Sequence, residues 1–349
     1  MKSYTHNTGT FIGKGGIEIF FQSWCVDKPK GVLVIAHGVG EHSGRYQNIV
    51  QRLSGSDISI YAMDHRGHGR SGGRRGHVDS FKDYIYDLKL FIDLIREETQ
   101  NLSVILLGHS MGGVIAIHYA LTYPEDLAGL VVSSPGIAPV MPVPAWKIKI
   151  GEFLSRRMPR FTMATGLPAD YLSKDAAVVR AYNSDPLVHG VVSARWYTEF
   201  TAAAEECLRR ADELSLPIFL FHGKEDRIVD YRATQKIYDR ASSKQKHIVL
   251  YEGLYHETMN EIQKDRVLKD VSAWIINNIT KKRPRGRPIG GGRPLGKRIT
   301  ATKAVKHSTR KGAKKTKKRS ARVVGTKKTA KKAAKKTAKK AGKKTSKKK

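Results

Sequence analysis

Short apolar runs alternate with amphipathic stretches along most of this chain. Residues 31–36, 59–63 and 104–107 are almost entirely apolar, a pattern typical of strands that are covered on both faces. Between such runs, apolar residues recur at helical spacing, most regularly over residues 81–95. Repeated strand and helix units of this kind predict an α/β fold whose mostly parallel sheet is flanked by helices.

The pattern changes at the start of the chain and again near its middle. Residues 10–26 alternate around a glycine-rich turn and predict an antiparallel hairpin. Residues 136–212 begin with several prolines and lose the regular alternation, so we expect an insertion that forms a cap. The alternation returns with predicted strands at 217–221 and 246–251, which indicates that the parallel sheet continues after the insertion.

A serine flanked by glycines follows the apolar run at 104–107. Residues 108–112 have the sequence Gly-His-Ser-Met-Gly, and a helical stretch of small and apolar residues comes next. This order is typical of a nucleophile elbow, the sharp turn between a strand and a helix that exposes a serine hydroxyl. Glycines are needed there because a side chain would crowd the turn. We therefore predict that Ser110 is a nucleophile.

A serine nucleophile needs a histidine base and an acid that orients the base. In elbow enzymes the acid follows the serine in the chain and the histidine comes last. Asp226 lies just after one predicted strand and His256 just after the next, so both can meet Ser110 at the carboxyl edge of the sheet. Glu225 and Asp230 are neighbouring alternatives for the acid.

The negative oxygen that develops during ester cleavage needs backbone N–H donors. One donor should be Met111, because it directly follows the serine. The other should come from the loop after the first parallel strand, where residues 37–40 have the sequence His-Gly-Val-Gly. We assign this second donor to Val39.

Six motifs in this order resemble those of monoacylglycerol lipases and their lysophospholipase-like relatives in the α/β-hydrolase superfamily. They occupy residues 37–46, 64–71, 108–113 and 184–187 and the surroundings of Asp226 and His256. The resemblance covers about residues 10–279. It implies an α/β-hydrolase fold with the triad Ser110, Asp226 and His256. Val39 and Met111 would then be the oxyanion donors, and a lid would cover an apolar acyl site.

The activity that the resemblance implies is hydrolysis of carboxylic esters through an acyl-enzyme, most simply of monoacylglycerol or lysophospholipid. An apolar stretch with interleaved lysines, residues 142–154, suits a lid that contacts an acyl chain or a lipid surface. Two alternatives remain open. The body could be a non-enzymatic binding module of a nucleic-acid-associated protein, or it could be a peptidase or another esterase on the same scaffold.

Histidines in the loops raise the question of a metal. Four of them follow the first two parallel strands: His37, His42, His65 and His68. Their spacing matches no zinc pattern, and no acidic cluster completes a site. We therefore expect neither a metal nor a cofactor, and we expect these histidines to brace the loops with Arg66 and Glu41 as hydrogen-bond partners.

Charge divides the chain into two parts. The 349 residues have a formal net charge of +33, yet residues 1–280 hold 33 basic and 31 acidic side chains. Residues 281–349 contain 31 Lys or Arg and no acidic or aromatic residue, so they cannot bury a core. We predict a hydrolase domain over residues 1–280, with its cap at about 136–212, and a disordered basic tail.

The tail begins with residues 281–288, which look like an AT-hook. The proposed contacts are Arg283, Arg285, Gly286 and Arg287, because an extended Arg-Gly-Arg can follow a narrow A·T minor groove. Later Lys/Ala repeats resemble histone-like tails and can neutralise phosphates. These features favour nucleic acid, most simply A/T-rich DNA, as a partner. An anionic membrane surface is the alternative.

The location of the protein follows from what the sequence lacks. The first residues have no apolar core of a signal peptide, and the apolar runs fall short of the ~18 residues of a membrane span. Cys25 and Cys207 are isolated, which indicates a reducing compartment. We expect a cytoplasmic protein that associates with the nucleoid or chromatin.

Overall fold

A sheet of eight strands forms the centre of the computed structural model, which describes residues 4–141 and 143–279. In these ranges the strands are β1 (Thr5–Ile12), β2 (Glu18–Cys25), β3 (Gly31–Ala36), β4 (Ile58–Met63), β5 (Val104–His109), β6 (Gly129–Ser133), β7 (Thr162–Ala164), β8 (Val191–Ser193), β9 (Ile218–Gly223) and β10 (Lys246–Tyr251). The α-helices there are α1 (Gln47–Arg52), α2 (Lys82–Glu98), α3 (Met111–Thr122), α4 (Ala145–Arg157), α5 (Ala176–Ser184), α6 (Ala194–Arg209), α7 (Tyr231–Arg240) and α8 (Lys264–Ile279).

The strands of the large sheet follow the order β1-β2-β4-β3-β5-β6-β9-β10. β1 pairs with β2, and β2 with β4, in antiparallel fashion, whereas the remaining pairs are parallel. The register aligns Ala36 with Gly108 and Gly108 with Val132. The carboxyl ends of β3, β5 and β6 therefore lie side by side, and the loops that follow them share one edge of the sheet.

Helices cover both faces of this sheet, as the alternation of side chains requires. Val32 and Val34 belong to the core under α2 and α3, whereas Leu33 and Ile35 belong to the core under α1 and α8. Burial on both faces explains why the parallel strands are continuous apolar runs. The predicted α/β fold with a mostly parallel sheet flanked by helices is confirmed.

The segment between β6 and β9 holds α4, β7, α5, β8 and α6, and we call residues 136–212 the cap segment. β7 and β8 form a separate two-stranded antiparallel sheet. Helix α6 packs on α3 through the buried Ala203, Ala204 and Cys207, and α4 packs on α6. α4 is therefore separated from the main core by another helix.

The hairpin at the start of the chain is longer than its apolar pattern predicts. β1 begins at Thr5, although residues 5–9 are mostly polar. The paired strand supplies the missing contacts, because His6 stacks on Trp24 with ring centroids 5.2 Å apart. Cross-strand packing of this kind is not visible in the alternation of a single strand.

Candidate active site

Ser110 is the single residue between β5 and α3. Its φ of 54° and ψ of −117° lie in a region that residues other than glycine rarely adopt. The Ser110 N–H donates to the Ser133 carbonyl over 3.0 Å. A Cβ on Gly112 would collide with the carbonyl of Ala36, and one on Gly108 would collide with the backbone of Gly112. The predicted serine thus occupies a strained, tightly packed turn between strand and helix.

The candidate acid and base contact each other directly. Asp226 follows β9 and His256 follows β10, and 2.7 Å separates Asp226 Oδ2 from His256 Nδ1. Asp226 Oδ1 accepts backbone N–H bonds from Ile228 and Val229 at 2.8 and 3.0 Å. Both side chains and Ser110 are buried. The loops at the sheet edge therefore deliver an oriented imidazole close to the serine turn.

The neighbouring acids have other partners. Glu225 Oε2 lies 2.7 Å from the ammonium group of Lys174. Asp230 precedes α7, where its side chain accepts the backbone N–H of Arg232. Asp226 is thus the carboxylate that His256 contacts in this loop.

The charge of each partner shifts the pKa of the other. Burial alone would raise the pKa of Asp226, but the facing His256 and hydrogen bonds from His222 and His256 hold it well below its usual range. Burial would lower the pKa of His256, but Asp226 raises it above 6.5, with smaller contributions from Glu257 and Glu41. An ionised carboxylate therefore faces an imidazole whose protonated form it stabilises, as a general base requires.

The loop after β3 lies against the serine turn. A Cβ placed on Gly38 would fall 3.2 Å from the Cβ of Ser110. The Gly38 N–H donates to Glu41 Oε1 over 2.6 Å, so the next N–H along the loop belongs to Val39, which borders the same cavity as Ser110. Met111 begins α3, and its N–H is one of the four that a helix cannot satisfy internally.

A cavity that is partly open to solvent joins these groups. It is lined by Gly38, Val39, Glu41, Arg45, His109, Ser110, Leu167, Leu172, Tyr182, Ile228, His256 and Glu257. Its apolar lining includes Ile228 and, from the cap segment, Leu167 and Leu172. Its charged lining includes Arg45 and Glu257. The serine therefore opens into a space with both an apolar and a charged wall.

Arg45 lies between two carboxylates in the charged wall. Its two terminal nitrogens donate to Glu257 over 2.6 and 2.8 Å, and one of them also donates to Glu41 over 3.0 Å. The guanidinium stacks over the ring of Tyr182 from α5, 4.8 Å from its centroid. Burial alone would raise the pKa of Glu41, but the charge of Arg45 lowers it to about 2. The cluster thus has two negative charges and one positive charge beside His256.

The loop histidines have different partners: backbone groups hold His37 and His68, whereas His42 Nε2 lies 2.8 Å from Asp185 Oδ2. His37 Nδ1 lies 2.7 Å from its neighbour's carbonyl, and His37 Nε2 accepts the N–H of His65 over 2.8 Å. Arg66 partners His68 only through its carbonyl oxygen, because its guanidinium pairs with Asp87 of α2. The carboxylate of Glu41 accepts hydrogen bonds from the Gly38 N–H, Arg45 and Tyr46 rather than from one of these histidines. Within the described residues, no three His, Cys, Asp or Glu side chains are arranged to hold a metal ion.

One face of α4 is apolar and open to solvent. Trp146, Ile150 and Phe153 are 61%, 50% and 62% exposed, and their spacing places them on the same side of the helix. The buried positions of α4 are the small residues Gly151 and Ser155. Two lysines and two arginines belong to the same helix. The predicted apolar lid therefore presents its largest side chains outward.

Comparison with known proteins defines the class. Residues 27–263 match the Hydrolase_4 family, described as serine aminopeptidase, S33. The match spans most of the chain, and the chain belongs to this family of α/β-hydrolases.

Its relatives narrow the class further. A monoacylglycerol lipase of Mycolicibacterium smegmatis is 35% identical over 287 residues, which cover 80% of this chain and 100% of that protein. A monoglyceride lipase of Mus musculus is 32% identical over 77% of this chain and 90% of that protein. The crystal structure of Paleococcus ferrophilus monoacylglycerol lipase has a TM-score of 0.69 at 30% identity, covering 74% of this chain and 99% of that one. The chain is a serine ester hydrolase of the monoacylglycerol lipase type.

The tail, including Arg283, Arg285, Gly286 and Arg287, lies outside the described residues, so its contact with nucleic acid stays a prediction. Within the described ranges, no helix combines the length and the apolar character needed to cross a bilayer.

Three residues of the site were not assigned a role from the sequence. Arg45 and Glu257 are distant in the chain, and no local pattern indicates that they pair. His222 lies within the His-Gly-Lys-Glu-Asp motif, yet the sequence does not reveal its contact with Asp226. The one signal in the sequence was that His222 and Asp226 lie four residues apart across the end of β9.

Proposed function

We propose that this protein hydrolyses monoacylglycerols through an acyl-enzyme in which Ser110, His256 and Asp226 form the triad. The observation that supports this most strongly is the cavity where Ser110 and His256 meet an apolar wall and a charged wall. A monoacylglycerol has a long apolar acyl chain and a small polar alcohol, so it complements both walls.

The proposed reaction has two halves. Ser110 Oγ attacks the ester carbonyl carbon while His256 Nε2 takes the hydroxyl proton, and Asp226 stabilises the resulting imidazolium. The N–H groups of Val39 and Met111 stabilise the negative oxygen of the tetrahedral intermediate. His256 then gives its proton to the departing alcohol oxygen. Water repeats the sequence on the acyl-enzyme, and the fatty acid leaves.

The charged wall favours an uncharged alcohol over a phosphate-containing one. Glu41 and Glu257 together outweigh the single charge of Arg45, and both are already bound to it. The phosphodiester of a lysophospholipid would therefore meet net negative charge and a guanidinium that is already paired with two carboxylates. This argument places monoacylglycerol ahead of lysophospholipid as the substrate.

A substrate panel with one inactive variant tests the proposal. The full chain should cleave a monoacylglycerol faster than a lysophosphatidylglycerol of the same acyl length, and Ser110→Ala should abolish turnover and labelling by a fluorophosphonate probe. Hydrolysis that peaks at p-nitrophenyl acetate and vanishes for the decanoate would refute an acyl-chain substrate. Faster cleavage of aminoacyl anilides would instead establish the peptidase that the family's description suggests, and a folded protein without labelling at Ser110 would establish a non-enzymatic body.

We also propose that the outward face of α4 docks on a lipid surface. Trp146, Ile150 and Phe153 supply the apolar contact, and the basic residues of the helix favour anionic headgroups. A chain ending at Thr280 separates this contact from the tail. Trp146→Ser with Phe153→Ser should weaken its sedimentation with anionic vesicles and leave hydrolysis of a dispersed short ester unchanged. Unchanged sedimentation would contradict the proposal.

For the tail we propose nucleic-acid binding through Arg283, Arg285, Gly286 and Arg287, which would hold the enzyme at the nucleoid or chromatin. The support is the composition of residues 281–349 and the Arg-Gly-Arg segment alone. With 6–10 phosphate contacts, affinity should fall about 10³–10⁵-fold between 50 and 200 mM salt. The full chain should therefore bind A/T-rich duplex in a salt-dependent way that a chain ending at Thr280 loses. A response that is flat in salt would rule the proposal out.

A further inference from the structure

A second histidine contacts the candidate acid. His222 lies near the end of β9, and its Nε2 is 2.9 Å from Asp226 Oδ2, the same oxygen that His256 Nδ1 approaches to 2.7 Å. The side chains of His222 and Asp226 are both 0% exposed. One carboxylate oxygen of a fully buried side chain is thus shared by two imidazoles.

The hydrogen bonds determine which nitrogen of His222 holds the proton. An ionised Asp226 can only accept, so Nε2 of His222 must donate to it. Nδ1 is then an acceptor, and the hydroxyl of Thr234 on α7 lies 2.7 Å away and donates to it. Burial lowers the pKa of His222, against the charge of Asp226. A neutral His222 is therefore held in the tautomer that carries its proton on Nε2.

The carboxylate of Asp226 has four donors. Oδ2 accepts from His222 and His256, and Oδ1 accepts from the N–H groups of Ile228 and Val229. Two donors on each oxygen fix the plane of the carboxylate and distribute its negative charge. Of these four donors, His256 is the one that must gain and lose a proton during the reaction.

We propose that His222 is a positioning residue that acts through Asp226: its Nε2–H holds Oδ2 toward His256 and limits how strongly Asp226 retains the protonated base. The inference rests on the proposed triad. A carboxylate with fewer donors is more basic and binds an imidazolium more tightly. Removing the His222 donor would therefore leave His256 protonated over a wider pH range and free the carboxylate to rotate.

Other titratable groups face His256 and must be kept constant in any test. Glu257 is its neighbour in the chain, Glu41 approaches from the loop after β3, and the ring of His109 lies 4.8 Å from that of His256. Changing His222 leaves these three in place, so a shift in the titration of His256 reports on Asp226.

The pH dependence of kcat/KM tests the role. His222→Leu removes the donor, and we expect the acid limb to move up by about half to one pH unit and kcat/KM at neutral pH to fall by about 10-fold to 100-fold. His222→Gln keeps an N–H donor at a similar reach and should restore the acid limb. His118→Leu, which removes a partly buried histidine of α3 bonded to the Ala203 carbonyl, should leave the acid limb unchanged.

If His222→Leu folds and its acid limb lies at the same pH as that of the unchanged protein, the inference about His222 is overturned. The proposed function would still stand as long as turnover is lost in Ser110→Ala. If Ser110→Ala retained turnover, the proposed function itself would be refuted.

A second measurement needs neither turnover nor a change at position 222. In the Ser110→Ala full chain, ¹⁵N NMR of labelled histidines should show His222 protonated at Nε2 from pH 5 to pH 9. A His222 whose Nε2 carries no proton anywhere in that range would also overturn the inference. This readout remains decisive even if His222→Leu does not fold.

Discussion

Glu257 binds Arg45 through both carboxylate oxygens, although 212 positions separate the two residues. Glu257 directly follows His256, and Arg45 follows the loop that contains Val39. The ion pair therefore ties the loop of the candidate base to the loop of the candidate oxyanion donor. Because both side chains are nearly buried, the pair fixes the distance between the two loops at the point where the reaction needs it.

Breaking this pair should destabilise the fold. Arg45→Met leaves Glu41 and Glu257 buried without their cation, and removing one partner of a buried pair typically costs about 3–5 kcal/mol. Arg45→Lys keeps the charge but not the two-pronged geometry, so it should recover part of the loss. Urea unfolding of the inactive Ser110→Ala background measures both effects.

The control for this prediction is Arg232→Met. Arg232 is 72% exposed and pairs with Asp230 over 3.8 Å, so its removal should change the free energy of unfolding by at most ~1 kcal/mol. Equal losses for Arg45→Met and Arg232→Met would contradict a structural role for the buried cluster.

The backbone at Ser110 should be more stable with glycine than with alanine. Both Ser110→Gly and Ser110→Ala remove the hydroxyl and should be inactive. The φ of 54° costs about 1–3 kcal/mol for a residue with a Cβ, whereas glycine adopts it freely. We expect Ser110→Gly to unfold at higher urea concentration than Ser110→Ala. The same two changes at Ser133, in the regular strand β6, should show the opposite order, and the same order at both sites would refute the strain.

Activity should be lost in mild acid. Asp226, Glu257 and Glu41 raise the pKa of His256 above its ordinary 6.5. The base must be neutral to accept the serine proton, so kcat/KM should fall as pH drops through a midpoint above 6.5. Glu257→Gln removes one of the charges and should move that midpoint down. Glu252→Gln, at a side chain 76% exposed, should not move it, and an unshifted midpoint in Glu257→Gln would show that its charge does not act on the base.

Stability should also fall in acid, through His65. Burial, and then the neighbouring His37 and His68, lower the pKa of His65 well below 6.5. The unfolded chain therefore takes up this proton first, so the stability is complete above pH 6.5 and declines as pH falls toward the lower folded-state pKa. His65→Phe should flatten the dependence of the unfolding free energy between pH 7 and pH 5. His247→Asn, at an exposed position of β10, should leave that slope as it was.

The strands and the serine turn were predictable because their causes are local. The run at 246–251 coincides with β10. The glycines around Ser110 indicate a turn in which positions 108 and 112 have no room for a side chain. The order of acid and base along the chain placed Asp226 and His256 at neighbouring strand ends, where the structure brings them into contact.

The contacts that surround the triad were not predictable, because they join distant segments. Arg45 and Glu257 pair across 212 positions, and Tyr182 reaches Arg45 from the cap segment. A single sequence does not encode such distances in any spacing. The first part of β1 was missed for a related reason, since its polar residues are stabilised by packing across the hairpin.

The position of Trp146 on α4 gives the protein an optical reporter of its own. Trp24 and Trp196 are buried, and Trp274 is half-buried beside Phe219, so the fluorescence emission at the longest wavelengths and the quenching by dissolved iodide arise mainly from Trp146. Covering this face of α4 would shift that emission toward the blue and protect it from iodide. The environment of the cap can therefore be followed during turnover without any attached dye.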